Sequence, residues 1–272
     1  MSVVITQHPG HKSITRKTRN FPVSLGFLRE SGIVLLAVYV YFFVRGLIHS
    51  READAMQHAR DLVGFERSLG IFQERQFQSL ILDHHWLVTL VNWIYIYGHW
   101  PLVISTLTWL FIKRRDMFPL FRSAMIFSGL VGFVFFFLYP MAPPRLVDGL
   151  GIVDTVTLHS EAYRVLQPPS LTNQFAAMPS LHVGWNLLMG IAIVSMSTNR
   201  FWKVFGVLMP LAMYLATILS GNHYFVDGIV GSALALAGLA VAWKLFRPRP
   251  PVWQVTPLPA AVRGSRFDAE AA

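Results

Sequence analysis

Cysteine is absent from this chain of 272 residues, which excludes disulfides, thiol nucleophiles and thiolate metal sites and leaves the redox compartment open. Charge is scarce. Asp, Glu, Lys and Arg make up 14% of the residues while 54% are hydrophobic, a balance too apolar for an ordinary soluble domain. No cleavable leader is expected, because residues 1–30 are polar and basic and the first apolar run is long enough to anchor rather than be removed. No internal repeat and no second domain is evident. What the chain has in abundance is long apolar runs.

A spanning helix takes about 20 apolar residues, and six runs approach or exceed that length: 32–49, 86–112, 119–140, 180–198, 201–220 and 224–245. The expected fold class is therefore all-α, a polytopic membrane helix bundle of about six transmembrane helices. The second run is overlong and contains Gly98 and Pro101, which predicts a kink, a tilt or a partly interfacial stretch. Residues 1–30 read as a basic tail and 247–272 as a Pro/Arg-rich tail, flanking one membrane domain over 31–246. Between the first two runs, residues 50–83 mix charges with Leu62, Phe65, Leu69, Phe72, Phe77 and Leu80, an interrupted helical pattern suited to lying flat on a membrane. Residues 141–178 form a long loop with Pro143-Pro144 and Pro168-Pro169, the length of a lid or binding loop.

The formal net charge of +9 raises nucleic acid as a partner, but its distribution argues against that. With six spans and a cytoplasmic N-terminus, 16 of the 23 Lys and Arg fall on the cytoplasmic side. That asymmetry follows the positive-inside rule and puts both termini in the cytoplasm. The partners expected are anionic lipids, with no nucleic acid.

The same topology gathers chemistry at the opposite, extracytoplasmic face. The third run ends at Tyr139-Pro140-Met141-Ala142-Pro143-Pro144-Arg145, and the fourth starts at Pro179-Ser180-Leu181-His182. The fifth ends at Ser220-Gly221-Asn222-His223, and Asp227 opens the sixth. His182 and His223 are 41 residues apart, which fits two crossings joined by a tight turn. His223 and Asp227 share a helix face at i, i+4. The carboxylate can accept Nδ1–H and leave Nε2 as a nucleophile. His182 can then protonate a departing oxygen. Arg145 offers a planar fork to phosphate oxygens, and Ser180 with the N–H groups opening the fourth run adds neutral donors. Phosphoryl transfer by such a set calls for no metal and no cofactor.

Pro179-Ser180-x-His182 followed by His223-x-x-x-Asp227 resembles the type 2 phosphatidic acid phosphatase superfamily. Ala177-Met178-Pro179-Ser180-Leu181-His182, preceded by Tyr139-Pro140-x-Ala142-Pro143-Pro144-Arg145, is similar to the branch that contains the inositol phosphorylceramide synthases. The similarity covers residues 60–245, with the catalytic core over about 120–235. It implies a metal-independent membrane lipid phosphatase or phosphotransferase in which His223 forms a phosphohistidine, Asp227 supports it and His182 is the acid. The implied substrates are a phospholipid, sphingolipid or polyprenyl phosphate in the cell membrane, with transfer of a head group such as phosphoinositol to a lipid alcohol. Two departures stand out. The superfamily's first motif has a Lys seven residues before its Arg, where this chain has Leu138, and its third has an Arg six residues before the His, where this chain has Thr217. With fewer fixed cations, a phosphodiester is favoured over a dianionic monoester.

Plainer roles compete at each position. His223 with Asp227 can be a structural polar pair between helices, Arg145 an interfacial anchor and Ser180 a helix N-cap. Asn92, Tyr95 and His99 share one face of the second run and suit either a head-group pocket or a self-satisfied network. His84-His85 reads as an exposed interfacial pair, Gly228, Gly231, Ser232 and Ala235 as a close-packing face, and Asn173 and Gln174 as loop-capping residues. The alternative function is a proton-coupled transporter using the His/Asp cluster. Transporter sites lie near the bilayer midplane, whereas this cluster is expected at one face. A metal-dependent oxidase or hydrolase is the third reading, weakened by the absence of multi-His boxes.

Overall fold

In apolar surroundings a backbone must satisfy its own N–H and C=O groups, so the hydrophobic runs close into helices. The computed structural model describes residues 51–159 and 173–246, with five isolated helical positions at Leu28, Gly32, Ile33, Leu36 and Tyr39. Apart from those positions, the expected first span at 32–49 lies outside the described residues, as do residues 160–172 of the long loop and the 247–272 tail. Nine helices and no strand occur among the described residues: α1 Glu52–Ser68, α2 Glu74–Leu82, α3 His85–Tyr97, α4 Trp100–Lys113, α5 Phe118–Leu138, α6 Thr155–His159, α7 Leu181–Met196, α8 Arg200–Leu219 and α9 Phe225–Leu245.

α5, α8 and α9 are each long and apolar enough to cross a membrane, and α3 with α4 forms a fourth candidate bent by 42°. The bend falls where Gly98 and Pro101 interrupt the run, with Gly98 closing α3 and the proline in the first turn of α4. A proline there lacks only an N–H that the helix start would leave unpaired. α7, expected over 180–198, is a 16-residue apolar helix.

α9 packs on α5 and α7, and α7 packs on α8. Small residues bring these backbones together. A Cβ on Gly231 would strike the Ser180 carbonyl, one on Gly184 would lie 2.5 Å from the Gly231 carbonyl, and one on Gly238 would lie 2.7 Å from the Ala124 carbonyl. Gly228 meets the Tyr214 ring in the same way. The apolar core between them is built from Leu110, Leu120, Phe121, Leu188, Met189 and their neighbours.

The segment expected to lie flat on the membrane is a helix pair with one face buried in the protein. Ala55, Ala59, Leu62 and Val63 of α1 pack against Met141, Ala142, Val147 and Tyr224. Gln78 of α2 donates to the carbonyls of Val153 (2.8 Å) and Leu219 (3.1 Å) and accepts from Val153 N–H (2.7 Å). α1 and α2 therefore brace the loop after α5 and the end of α8.

Candidate active site

The end of α8 sets the position of His223. Ser220 is the C-cap, and Gly221 follows at φ +76°, a conformation that favours glycine. Gly221 N–H donates to Ile218 O (2.9 Å) and Asn222 N–H to Thr217 O (3.0 Å), the paired bonds of a Schellman turn. His223 N–H also reaches Thr217 O (3.1 Å). The turn is crowded as well as twisted, since a Cβ at Gly221 would lie 2.9 Å from Val153 O and 3.3 Å from Arg145 Cβ.

Asp227 sits in the first turn of α9, fully buried. Its Oδ2 accepts from Tyr224 N–H (2.9 Å) and lies 3.3 Å from His223 Nδ1. One carboxylate oxygen thus caps the helix and orients the imidazole, leaving Nε2 directed away from the acid. The Asp227 carbonyl accepts Ser180 N–H (3.0 Å), which ties the start of α7 to the first turn of α9. Ser180 Oγ accepts from Val183 N–H at 3.5 Å, so the serine is the N-cap of α7, buried beneath His182.

His182 faces His223 with ring centroids 6.0 Å apart. Its other neighbours come from the bent pair: Tyr95 stacks on it at 4.9 Å, and the His99 ring lies 4.4 Å away. Asn186 Nδ2 donates to His182 O (2.9 Å) and lies 2.9 Å from His99 Nδ1. Asn92 does not reach this cluster; it exchanges hydrogen bonds with Thr155 (2.8 and 2.9 Å), a satisfied pair that pins α6 to α3.

Arg145 lies in a 3-10 turn, Pro144–Leu146, after α5. Its backbone N–H donates to Gly221 O (3.1 Å), and its Nη1 donates to Asn222 Oδ1, one residue before His223. Its Nε pairs with Asp154 Oδ2 at 3.1 Å. The guanidinium is thus beside the histidine turn but already matched by one carboxylate. Asn173 Oδ1 accepts from Phe175 N–H (3.0 Å), a loop cap. His84 and His85 are exposed. Among the described residues, no group of three or more His, Cys, Asp and Glu is arranged to hold a metal ion.

Residues 60–241 match the PAP2 superfamily. The chain belongs to that superfamily. Its described residues include three helices, or four counting the bent pair, long and apolar enough for an integral membrane protein. Phosphoinositol dihydroceramide synthase of Bacteroides thetaiotaomicron is 28% identical over 185 residues, covering 60% of this chain and 57% of that protein. The chain thus spans less than two thirds of that relative's length. LpxE of Aquifex aeolicus superposes with a TM-score of 0.49 at 15% identity, over 63% of this chain and 92% of that one.

Within this PAP2 protein the two positions that lack the expected cations have other surroundings. Leu138 is 62% exposed at the end of α5, and Thr217 is buried with its carbonyl given to the histidine turn. Residues 182, 223 and 227 form one cluster, joined to Ser180 through the backbone and to Arg145 through Asn222. Sequence reasoning missed Asn222 and Asp154 as partners of Arg145. It also missed two buried acids, Glu66 and Glu74, at the start of α9. Asn222 has a signal, because it adjoins the histidine; the acids have none that separates them from their exposed neighbours Glu52 and Asp54.

Proposed function

We propose that this protein transfers a phosphate-linked head group from a phospholipid to an acceptor hydroxyl through a phosphohistidine on His223, at the extracytoplasmic face of the cell membrane. The observation that carries the reading is the buried Asp227 carboxylate on Nδ1 of an imidazole whose ring faces a second imidazole 6.0 Å away. In the first step the Nε2 lone pair of His223 attacks phosphorus. The bond from phosphorus to the leaving oxygen breaks, and that oxygen takes the proton of His182. In the second step the acceptor hydroxyl gives its proton to His182 as its oxygen attacks phosphorus, and the P–N bond breaks. Asp227 stabilises the positive charge on His223 in between. Arg145 and the N–H groups at the start of α7 take the phosphoryl oxygens, with Ser180 shaping that turn.

Water and a lipid alcohol are equivalent acceptors for this chemistry. The similarity to a phosphoinositol dihydroceramide synthase supports transfer of a phosphoinositol-type head group to a sphingoid alcohol. The Arg145–Asp154 pair supports a phosphodiester donor, because a guanidinium already half-neutralised holds a monoanion at less cost than a dianion. The test is a covalent adduct. Purified protein in detergent is incubated with short-chain phosphatidylinositol labelled at phosphorus, quenched and mapped for acid-labile phosphate. Label on His223, absent from His223→Ala, is the expected result. An unlabelled wild-type protein that turns the same lipid over would overturn the mechanism.

A further inference from the structure

We propose that Glu66 and Glu74 form a proton-sharing carboxyl clamp on the first turn of α9, positioning His223 and Asp227 for attack. Neither acid touches the reacting atoms; both are positioning residues. The proposal rests on the reading of His223 given above for its kinetic arm alone.

The clamp is built from two helices that lie far from α9 in the chain. α1 ends in a Schellman turn: Gly70, at φ +70°, donates to Arg67 O (3.0 Å), and Ile71 N–H donates to Glu66 O (2.9 Å). That turn fixes Glu66 in the last turn of α1 and reverses the chain so that Glu74 opens α2. Both side chains enter the protein and are essentially fully buried. Glu74 Oε1 accepts from Phe225 N–H (3.0 Å), and Glu66 Oε1 accepts from Val226 N–H (3.1 Å). With Asp227 Oδ2 on Tyr224 N–H (2.9 Å), three consecutive N–H groups opening α9 are each taken by a different carboxyl.

One anion at a helix N-terminus is stabilising. Three anions around one buried turn repel each other, so the arrangement calls for a proton. The unused oxygens agree. Glu66 Oε2, Glu74 Oε2 and Asp227 Oδ1 are all buried without a hydrogen-bond partner, and a bare carboxylate oxygen in that state is costly. A proton on Glu66 Oε2 converts one orphan acceptor into a donor facing Glu74. Burial, and then the Glu74 carboxyl, raise Glu66 to about 9, which leaves it neutral at pH 7. The titratable groups that face it are Glu74 from α2, Asp227 and Tyr224 from the start of α9, and Tyr214 from α8. Tyr214 itself donates to Phe225 O (2.8 Å), so the same turn is also held from the α8 side.

The first arm of the test needs no substrate. The infrared difference spectrum of the full-length protein against Glu66→Gln at pH 7 should show one protonated-carboxyl stretch that shifts in D2O and fades as pH rises past about 9. Its absence would overturn the shared proton. The second arm uses short-chain phosphatidylinositol as the probe. Glu66→Gln keeps an acceptor for Val226 and a donor for Glu74, so its rate should stay within about threefold of wild type. Glu66→Ala, with kcat expressed per folded molecule from circular dichroism and gel filtration, should lose about tenfold or more while KM stays nearly unchanged, the signature of an interaction made in the transition state. Wild-type kcat in Glu66→Ala, or a Glu66→Gln as slow as Glu66→Ala, would overturn the positioning role. If Glu66→Ala does not fold, the glutamine variant and the infrared band still decide. A wild-type protein that shows the band and turns the lipid over without forming an adduct would instead overturn the phosphohistidine reading and leave the clamp standing.

Discussion

Around His223 the contacts are buried and come from fixed elements: a Schellman turn behind it, the Asp227 carboxylate beneath it, and two further carboxyls on the helix that carries Asp227. Around Arg145 the contacts are partly wet. The Arg145 and Asp154 side chains are 11% and 22% exposed, and they meet in a loop rather than between helices. In the proposed mechanism His223 is the nucleophile, which is best oriented before substrate arrives, and its supports are permanent. Arg145, as the proposed phosphate-binding cation, would exchange one anion for another, and an ion pair reachable by solvent can open at modest cost. The site therefore pairs a rigid half with an exchangeable half.

Asp227→Asn should break the rigid half most sharply. The amide can cap Tyr224 N–H but cannot balance an imidazolium, and adduct formation from short-chain phosphatidylinositol should slow by about 10³–10⁴-fold, as for other carboxylates that support a histidine. A loss of less than tenfold would make the pair structural. Gly231→Val attacks the crossing of α7 and α9 that sets His182 against His223, where the Ser180 carbonyl leaves no room for a Cβ. Forcing α7 away from α9 should cost about 1–3 kcal/mol or more, read as a lower thermal midpoint in detergent, and should widen the gap between His182 and His223. An unchanged midpoint would show that the helices can slide apart freely.

Asp154→Asn probes the exchangeable half and should have the smallest effect. It releases Arg145 from its resident anion while Oδ1 can still accept Thr157 N–H, as it does now at 2.9 Å. Turnover of phosphatidic acid should rise by about three- to tenfold relative to phosphatidylinositol, a preference worth about 1 kcal/mol. A constant ratio would remove Asp154 from donor choice.

Several features were readable from residue order alone. The bend between α3 and α4 follows from Gly98 and Pro101, and the convergence of His182, His223 and Asp227 follows from counting residues between apolar runs. The glycine face of α9 was legible because small residues at helical spacing have few other uses in an apolar helix. The plain reading of Ser180 as an N-cap holds, and so does the satisfied network at Asn92. His99 is different, since it joins the cluster beside His182 through Asn186. The segment 50–83 was half legible. Its two helices were visible in the pattern, but an amphipathic stretch looks the same whether its apolar side meets lipid or protein.

Local sequence by itself determined the helices, their breaks and the helix ends that carry the two histidines, because helix length, periodicity and turn chemistry are properties of short stretches. Only the tertiary structure decided which acids are buried, that Arg145 is shared between Asp154 and Asn222, and that Glu66 and Glu74 meet α9 some 150 residues further along the chain. Desolvation and charge coupling depend on what packs around a group, and for these side chains that surrounding is supplied by distant parts of the chain.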